Sequence, residues 1–374
     1  PRHSSSAASD VYKRQPMLKL LRNIVPICVI AAFLCLPMAL FAQLSKVHYI
    51  PPISVTTHIP NSQPTDQFIY ISTPSVNPIT VVIKPVGAAR ADYIYKTVSN
   101  KAPAIENIRL PGGATSSIIG MWDTQLVIPE SLGAAILNDK GYIIEAEKPI
   151  YVSVRLQSQA QAGAIVSKGG AALSNSFLFG GFVNDVGTLG DLYNQNTSFD
   201  SYNSFFSVMA IEDDTEVTVE FPKGVVLSNY LGTYPVSFKL KKNESFVGIL
   251  EAIKSSGNID GLIGGKLTST KNVSVISGST TGTNGTGNGH DYGIDQLVGV
   301  ENAGEEFIFI RGESIKNVGA IPYYSIENVI LVPLGAGTTY MANNGPVTPI
   351  TGDYAVIEGD AYNNNDNMYV VTSG

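Results

Sequence analysis

The sequence predicts an all-β protein built as tandem antiparallel β-sandwich-like repeats of about 120 residues, with a β-propeller as the alternative. Three observations predict it. Runs rich in β-branched and aromatic residues recur every 8–15 residues or so, bounded by Pro, Gly and Asn. Helical periodicity hardly appears, with Ile249 to Lys254 the best candidate for a turn or two. Two independent motifs recur with one shared offset of 123 residues.

The strand candidates follow in order. Phe68–Ile71 and Ile79–Ile83 are bounded by Pro74, Pro78 and Pro85. Tyr142–Ile144 and Ile150–Val154 flank Glu147-Lys148-Pro149, which reads as a turn. Phe205–Ile211, the acidic pair Asp213-Asp214 and Glu216–Phe221 read as a β-hairpin. Val217, Val219 and Phe221 alternate with polar residues, so one face is buried. Val236–Leu240, Leu267–Ile276, Glu306–Ile310 and Val329–Val332 continue the series.

The first recurring motif is Gly141-x-x-Ile144-x-Ala146-x-Lys148-x-Ile150-x-Val152, repeated from Gly264 to Val275. The second is Val208-x-Ala210 followed by Thr215-x-Val217, repeated from Leu331 to Tyr340. Phe68–Ile83 resembles an earlier copy of the second, and Met368–Gly374 echoes Ser269–Gly278. The expected organisation is a non-native or disordered remnant over 1–16, a signal peptide over 17–42, β units over 43–200 and 201–325, and a truncated third unit over 326–374. The chain is accordingly expected to be a fragment at its C-terminal side.

The leader rests on Lys19 and Arg22, the apolar run Ile24–Leu36, and Leu40-Phe41-Ala42 before Gln43. A transmembrane anchor is the rival, but the run is short and broken by Pro26 and Pro37. A lipoprotein signal at Cys35 is disfavoured by Leu34 before it. Both cysteines, Cys28 and Cys35, lie in this leader, so a chain from Gln43 onward has neither disulfide nor thiolate metal site. Residues 1–42 hold five of the 24 basic residues and one of the 31 acidic ones, which leaves 19 basic, 30 acidic and a net charge of −11. That balance argues against nucleic acid as a partner. The expected location is secreted or at the outer cell surface, without a transmembrane span after cleavage.

Catalytic chemistry is not expected. His48, His58 and His290 show no metal-ligand spacing, and His48 and His58 read as surface residues of a Pro-rich segment. Glu305 and Glu306 point to opposite faces of a strand, and Glu145 and Glu147 lie on a solvated side, so neither makes a glycosidase pair. Asp213-Asp214 reads as turn chemistry rather than a metal site. The Gly/Asn-rich stretch Gly282–Gly293 is the binding-loop candidate, with Asn284, Asn288, His290, Asp291 and Asp295 as contact residues. It could wrap a calcium ion, yet lacks the Asp-x-Asp-x-Asp-Gly spacing, so no cofactor is expected. Trp122 is the only tryptophan, and the tyrosines Tyr93, Tyr95, Tyr193, Tyr202, Tyr230, Tyr323 and Tyr324 suit loop recognition of a protein or glycan.

The segments VMAIEDDTEVTVEF (Val208–Phe221), KLTSTKNVSVISGS (Lys266–Ser279) and HDYGIDQLVGVENAGEEFIFI (His290–Ile310) resemble the N-terminal domain family of the IgG Fc-binding protein. Asn272 stands where that family has Pro, which Pro149 keeps in the earlier copy, and Gly299 stands where Pro is frequent. The resemblance implies a cell-surface or secreted adhesion module whose partner is an extracellular glycoprotein or glycan, immunoglobulin Fc among them. The rivals are a stalk repeat without a specific ligand and, less favoured, a glycan-active enzyme.

Overall fold

The computed structural model describes residues 43–55, 64–108, 123–158, 161–181, 201–222, 224–253, 262–282, 291–310, 329–357 and 367–373. By its internal contacts the chain separates at Ala42 into Pro1–Ala42 and Gln43–Gly374, and the expected remnant and leader lie outside the described residues. Every regular element among the described residues is a strand or a short 3₁₀ turn. None is a helix long and apolar enough to cross a membrane.

The first sheet comprises β1 (Ser45–Ile50), β3 (Asp66–Ser72), β4 (Ile79–Pro85), β5 (Ile94–Val98), β6 (Ala104–Asn107), β9 (Tyr142–Gln157) and β10 (Ala162–Val166). Between them β2 (Ile53–Ser54) and β7 (Val127–Ile128) form a small parallel pair, the one departure from antiparallel pairing among the described strands. The segment β8 (Ile136–Leu137) instead extends the edge of the second sheet. That second sheet holds β11 (Leu173–Leu178), β12 (Ser201–Ala210), β13 (Thr215–Glu220), β14 (Val236–Leu240), β15 (Ser245–Ile253), β16 (Lys266–Gly282) and β17 (Asp291–Gln296).

Both sheets are organised by one long strand. The opening half of β9 lies between β1 and β4, and its closing half lies between β10 and β3. Likewise β16 runs first between β11 and β13, then between β17 and β12. The crossing from one layer to the other falls at residues 147–149 in β9, where Pro149 removes a ladder donor and the pairing skips. The two layers of each sandwich are thus joined into one rolled sheet. In the first, the ends β5 and β6 approach each other, so it is nearly closed. This sharing of a strand between layers is not the blade of a propeller.

Three sequence-based expectations are corrected here. Glu147-Lys148-Pro149 is not a turn, because Tyr142–Gln157 continues as one strand through it. Residues 211–214 do not close a hairpin: β12 and β13 both pair with β16, on its two halves, and not with each other. The connection is an arch between layers, and alternation of burial cannot distinguish it from a hairpin. Ile249 belongs to β15 rather than to a helical turn, because Phe246 and Leu250 bury against the second core while Val247 and Ile249 bury against the first.

The third sheet has β18 (Glu306–Ile310), β20 (Thr339–Ala342), β21 (Thr348–Pro349) and β23 (Asn367–Ser373), beside the pair β19 (Val329–Leu331) and β22 (Ala355–Ile357). The strand β23 sits between β18 and β20 as the opening half of β16 sits between β11 and β13. Val370 faces Ala342 as Leu267 faces Val219, so β23 takes the place in pairing of that opening half. By pairing, the described strands fall into these three sheets and the two pairs β2–β7 and β19–β22.

The cores differ in kind. Ile69, Ile71, Val81, Ile83, Ile144, Val152 and Val154 fill the first with β-branched side chains. The second centres on phenylalanines, with Phe206 at 5.3 Å from Phe179 and 6.1 Å from both Phe221 and Phe246, ring centre to ring centre.

Candidate functional site

Of the five expected binding residues, Asp291 and Asp295 lie where the first two sheets meet. Strand β17 follows the Gly/Asn-rich stretch, runs against β16, and packs beside β10 of the first sheet. Asn284, Asn288 and His290 lie outside the described residues. Asp291 and Asp295 are described, and both are engaged in holding the fold. The Asp291 carboxylate accepts the Ala162 N–H at 2.8 Å, and Asp295 pairs with Lys168. Between them Tyr292 is buried against Gly163, where an added Cβ would stand 2.5 Å from the tyrosine Cβ.

The centre of this seam is Gln296. Its buried amide donates to the Tyr49 carbonyl at 2.7 Å and to Ser274 Oγ at 2.9 Å. Its Oε1 accepts the Lys168 N–H at 2.7 Å and lies 3.0 Å from Ser167 Oγ. Ser274 also donates to the Tyr49 carbonyl, at 3.2 Å. Partners from β1, from the segment after β10 and from β16 therefore converge on one side chain. Such a satisfied buried network orders a contact, because each orphaned member would carry its own desolvation cost.

His48 extends the network and corrects the expectation of a surface histidine. It is fully buried, with Nε2 donating to the Ile150 carbonyl at 3.0 Å and Nδ1 2.9 Å from Ser167 Oγ. Burial holds its imidazole below the usual histidine range, against a smaller opposing effect of the Ile150 and Ser45 backbone contacts. His58 lies outside the described residues. The Pro-rich surroundings suggested a loop, whereas alternation within His48-Tyr49-Ile50 was the signal for an inward side chain.

The other candidates are placed as follows. One Asp213 carboxylate oxygen accepts the Lys242 N–H at 3.0 Å. Asp214 adopts a φ of 56° and pairs with Lys239 at 2.8 Å, which holds its carboxyl below the usual range. Glu145 pairs with Lys84 at 2.5 Å, while Glu147 accepts the Thr80 N–H at 3.3 Å. Glu305 and Glu306 are both exposed. Tyr230 donates to the Thr233 carbonyl and packs on the second core, and Tyr93 lies beside Lys84, whereas Tyr95 is exposed. Trp122, Tyr193, Tyr323 and Tyr324 lie outside the described residues, as do side-chain details of Tyr202. Among the described residues, no three His, Cys, Asp or Glu side chains gather as metal ligands do.

In the first sheet the connection from β3 to β4 is a first arch between the two halves of β9, and a cleft of about 350 Å³ opens there, between Thr73–Asn77 and Lys148-Pro149. Its polar groups serve the arch: Thr73 donates to the Pro149 carbonyl at 3.0 Å, and Lys148 reaches Ser75 Oγ at 3.4 Å. The second arch is tied alike, with Lys271 Nζ donating to the Asp213 carbonyl at 2.6 Å. The recurring lysine of the motif is thus a strut between layers.

The IgGFc binding protein family matches residues 171–373, more than half of the chain. The chain belongs to this family. The match opens just before β11 and closes with β23, so it takes in the second and third sheets. No curated protein and no solved structure matches the chain. The family is one of binding proteins rather than enzymes.

Proposed function

We propose that this chain is an exported binding module that recognises an extracellular glycoprotein, with immunoglobulin Fc as the first partner to test. Family membership over residues 171–373 carries the reading. The surface proposed for it is the stretch between β16 and β17, with Asn284, Asn288 and His290 as contacts and Asp291 and Asp295 as its anchored base. A loop set on a rigid frame is where sheet proteins commonly place recognition. Calcium is not required by this reading. A glycan-active enzyme is disfavoured, since Glu145 and Glu147 are already engaged by Lys84 and Thr80.

The stalk reading has its own support in the succession of similarly paired sheets locked by the Gln296 network. One experiment separates the two. The purified chain is passed over an immunoglobulin and glycoprotein array, beside a variant whose residues 283–290 are replaced by a Gly/Ser linker of equal length. That replacement leaves Asp291, Tyr292 and Gln296 in place. Saturable binding lost in the variant is the expected result. No binding by the parent chain favours the stalk, and binding that survives the replacement moves the site elsewhere.

A further inference from the structure

The first two sheets meet through two defined faces. The second sheet contributes Phe205, Ser207 and Met209 of β12, with Val247 of β15 and Ile276 of β16, all buried. The first contributes Val47 and Tyr49 of β1 with Ile143 of β9, which pack on Met209. Each face has a counterpart that no described residue covers.

Strand pairing locates the first counterpart. Ile71 faces Val152 as Val208 faces Val275, so Phe68, Tyr70 and Ser72 occupy the places of Phe205, Ser207 and Met209. Ile105 opposes Tyr70 as Val247 opposes Ser207. This face is open, with Ile105 55%, Tyr151 42% and Val166 45% exposed. Arg155 lies 4.9 Å above the Tyr70 ring, and Phe68 lies 6.3 Å from it. Tyrosine and arginine over apolar surface make the composition of binding hot spots.

The second counterpart lies on the third sheet. Phe307 opposes Val370 as His48 opposes Ile144 and as Phe177 opposes Leu267. Ile308 therefore stands where Tyr49 stands, and Glu306 where Val47 stands. Ile308 is 71% and Ile310 79% exposed, and Glu306 is exposed beside the Tyr369 hydroxyl that it accepts. An open pair of isoleucines alternating with inward Phe307 and Phe309 is unusual on a strand that meets solvent alone.

We propose that these two open faces bind each other between copies, the β3–β9–β10 face of one chain receiving the β18–β23 face of a second. The contact would reuse the pair of faces that already meet once within the chain. By the same correspondence Ile308 and Glu306 would lie over Ser72, as Tyr49 and Val47 lie over Met209. The first sheet carries Tyr70 and Arg155 where the second carries Ser207 and Gly278, so the receiving face suits a partner other than β1. Because the two faces are different surfaces, the contact is heterologous and joins copies head to tail.

Sedimentation velocity of the purified chain over a range of concentrations tests this, beside two double variants, Tyr151→Asp/Val166→Asp and Ile308→Asp/Ile310→Asp. The parent is expected to form species of growing size, and each variant alone a single copy. An equimolar mixture of the variants is expected to form a two-copy complex and nothing larger, since each retains the face that the other lacks. Arg155→Glu gives a milder handle that needs no apolar position changed. It is expected to weaken association about tenfold, since Arg155 packs over Tyr70 at the centre of the receiving face. A parent that stays single at every concentration, or variants that fail to pair, would overturn the proposal. So would a single-copy parent whose glycoprotein binding is lost in Tyr151→Asp/Val166→Asp, because the face would then belong to that partner. Loss of glycoprotein binding on replacing 283–290 leaves this contact unaffected, so the two readings fail separately.

Discussion

The first and second sheets share one strand scheme and differ in what fills it. Position by position, Ile69 and Ile71 of the first face their core as Phe206 and Val208 of the second face theirs. His48 occupies the place of Phe177, opposite Ile144 and Leu267 respectively. The scheme survives because the long strand's pairings, not the particular side chains, fix the layers, and a core accepts varied apolar content if volume and pattern are kept. What distinguishes the two is where polarity is buried. The first hides an imidazole tied to the seam, and the second keeps an aromatic cluster dry.

The largest expected effect comes from removing the tie between them. Gln296→Leu keeps the side-chain size but strands the Lys168 N–H and takes one donor each from the Tyr49 carbonyl and Ser274 Oγ, which still hold each other. A loss of about 3 kcal/mol is expected from three bonds at about 1 kcal/mol each in a buried setting. Urea unfolding followed by fluorescence and far-UV circular dichroism measures it. If the two sheets are one cooperative body, both probes shift together. Two separated transitions would show that the seam, rather than either core, limits the cooperativity.

Much of this was legible beforehand. The 123-residue offset relates Gly141 to Gly264 and Ile144 to Leu267, and in each sheet these residues open the long strand and face equivalent partners. The layer change was not legible, because a strand crossing between layers keeps the alternation of a hairpin and Pro149 mimics a turn. Gln296 stood in plain view within Asp295-Gln296-Leu297, yet nothing local marks a polar residue whose partners lie 128 and 247 positions away. The expected contact residues Asp291 and Asp295 were chosen for chemistry that suits a ligand, and the same chemistry suits Ala162 and Lys168.

A smaller effect separates the paired glycines. Gly141 and Gly264 stand just before the two long strands with φ of 94° and 83°, a conformation that costs an L residue about 1–2 kcal/mol. Their surroundings differ. A Cβ on Gly141 would stand 2.6 Å from both the Ile50 carbonyl and Met209 Cε, whereas the nearest atom to one on Gly264 is Asp353 Cβ at 3.0 Å. Gly141→Ala is therefore expected to cost roughly 3 kcal/mol, with overpacking added to strain, and Gly264→Ala roughly 1–2 kcal/mol. Equal losses in thermal unfolding would mean that the first seam yields as easily as the third sheet's edge does.

The smallest effect at neutral pH, and the most diagnostic, comes from giving the first sheet the residue of the second. In His48→Phe the Ile150 carbonyl loses a donor while apolar volume is gained, so a loss of about 1 kcal/mol is expected above pH 7. The acid limb carries the distinction. Neutral His48 donates through Nε2 to Ile150, so its Nδ1 accepts the Ser167 hydroxyl, and the Gln296 oxygen then rests on the Lys168 N–H. Burial lowers the folded-state pKa, so below the unfolded value of about 6.5 the unfolded chain takes up the proton first. The stability that depends on neutral His48 is thus fully present above that pH and is lost as pH falls through the folded value. Asp214, whose carboxyl titrates below its ordinary range, acts only at more acid pH. Between pH 7 and pH 5 the parent chain should lose stability that His48→Phe retains, and the gap between their urea midpoints should narrow or reverse. A gap that stays constant over this range would mean that His48 remains as easily protonated in the folded chain as in the unfolded one. The seam would then have to accommodate a charged imidazole, as the Ser167 oxygen and the Ile150 carbonyl together could.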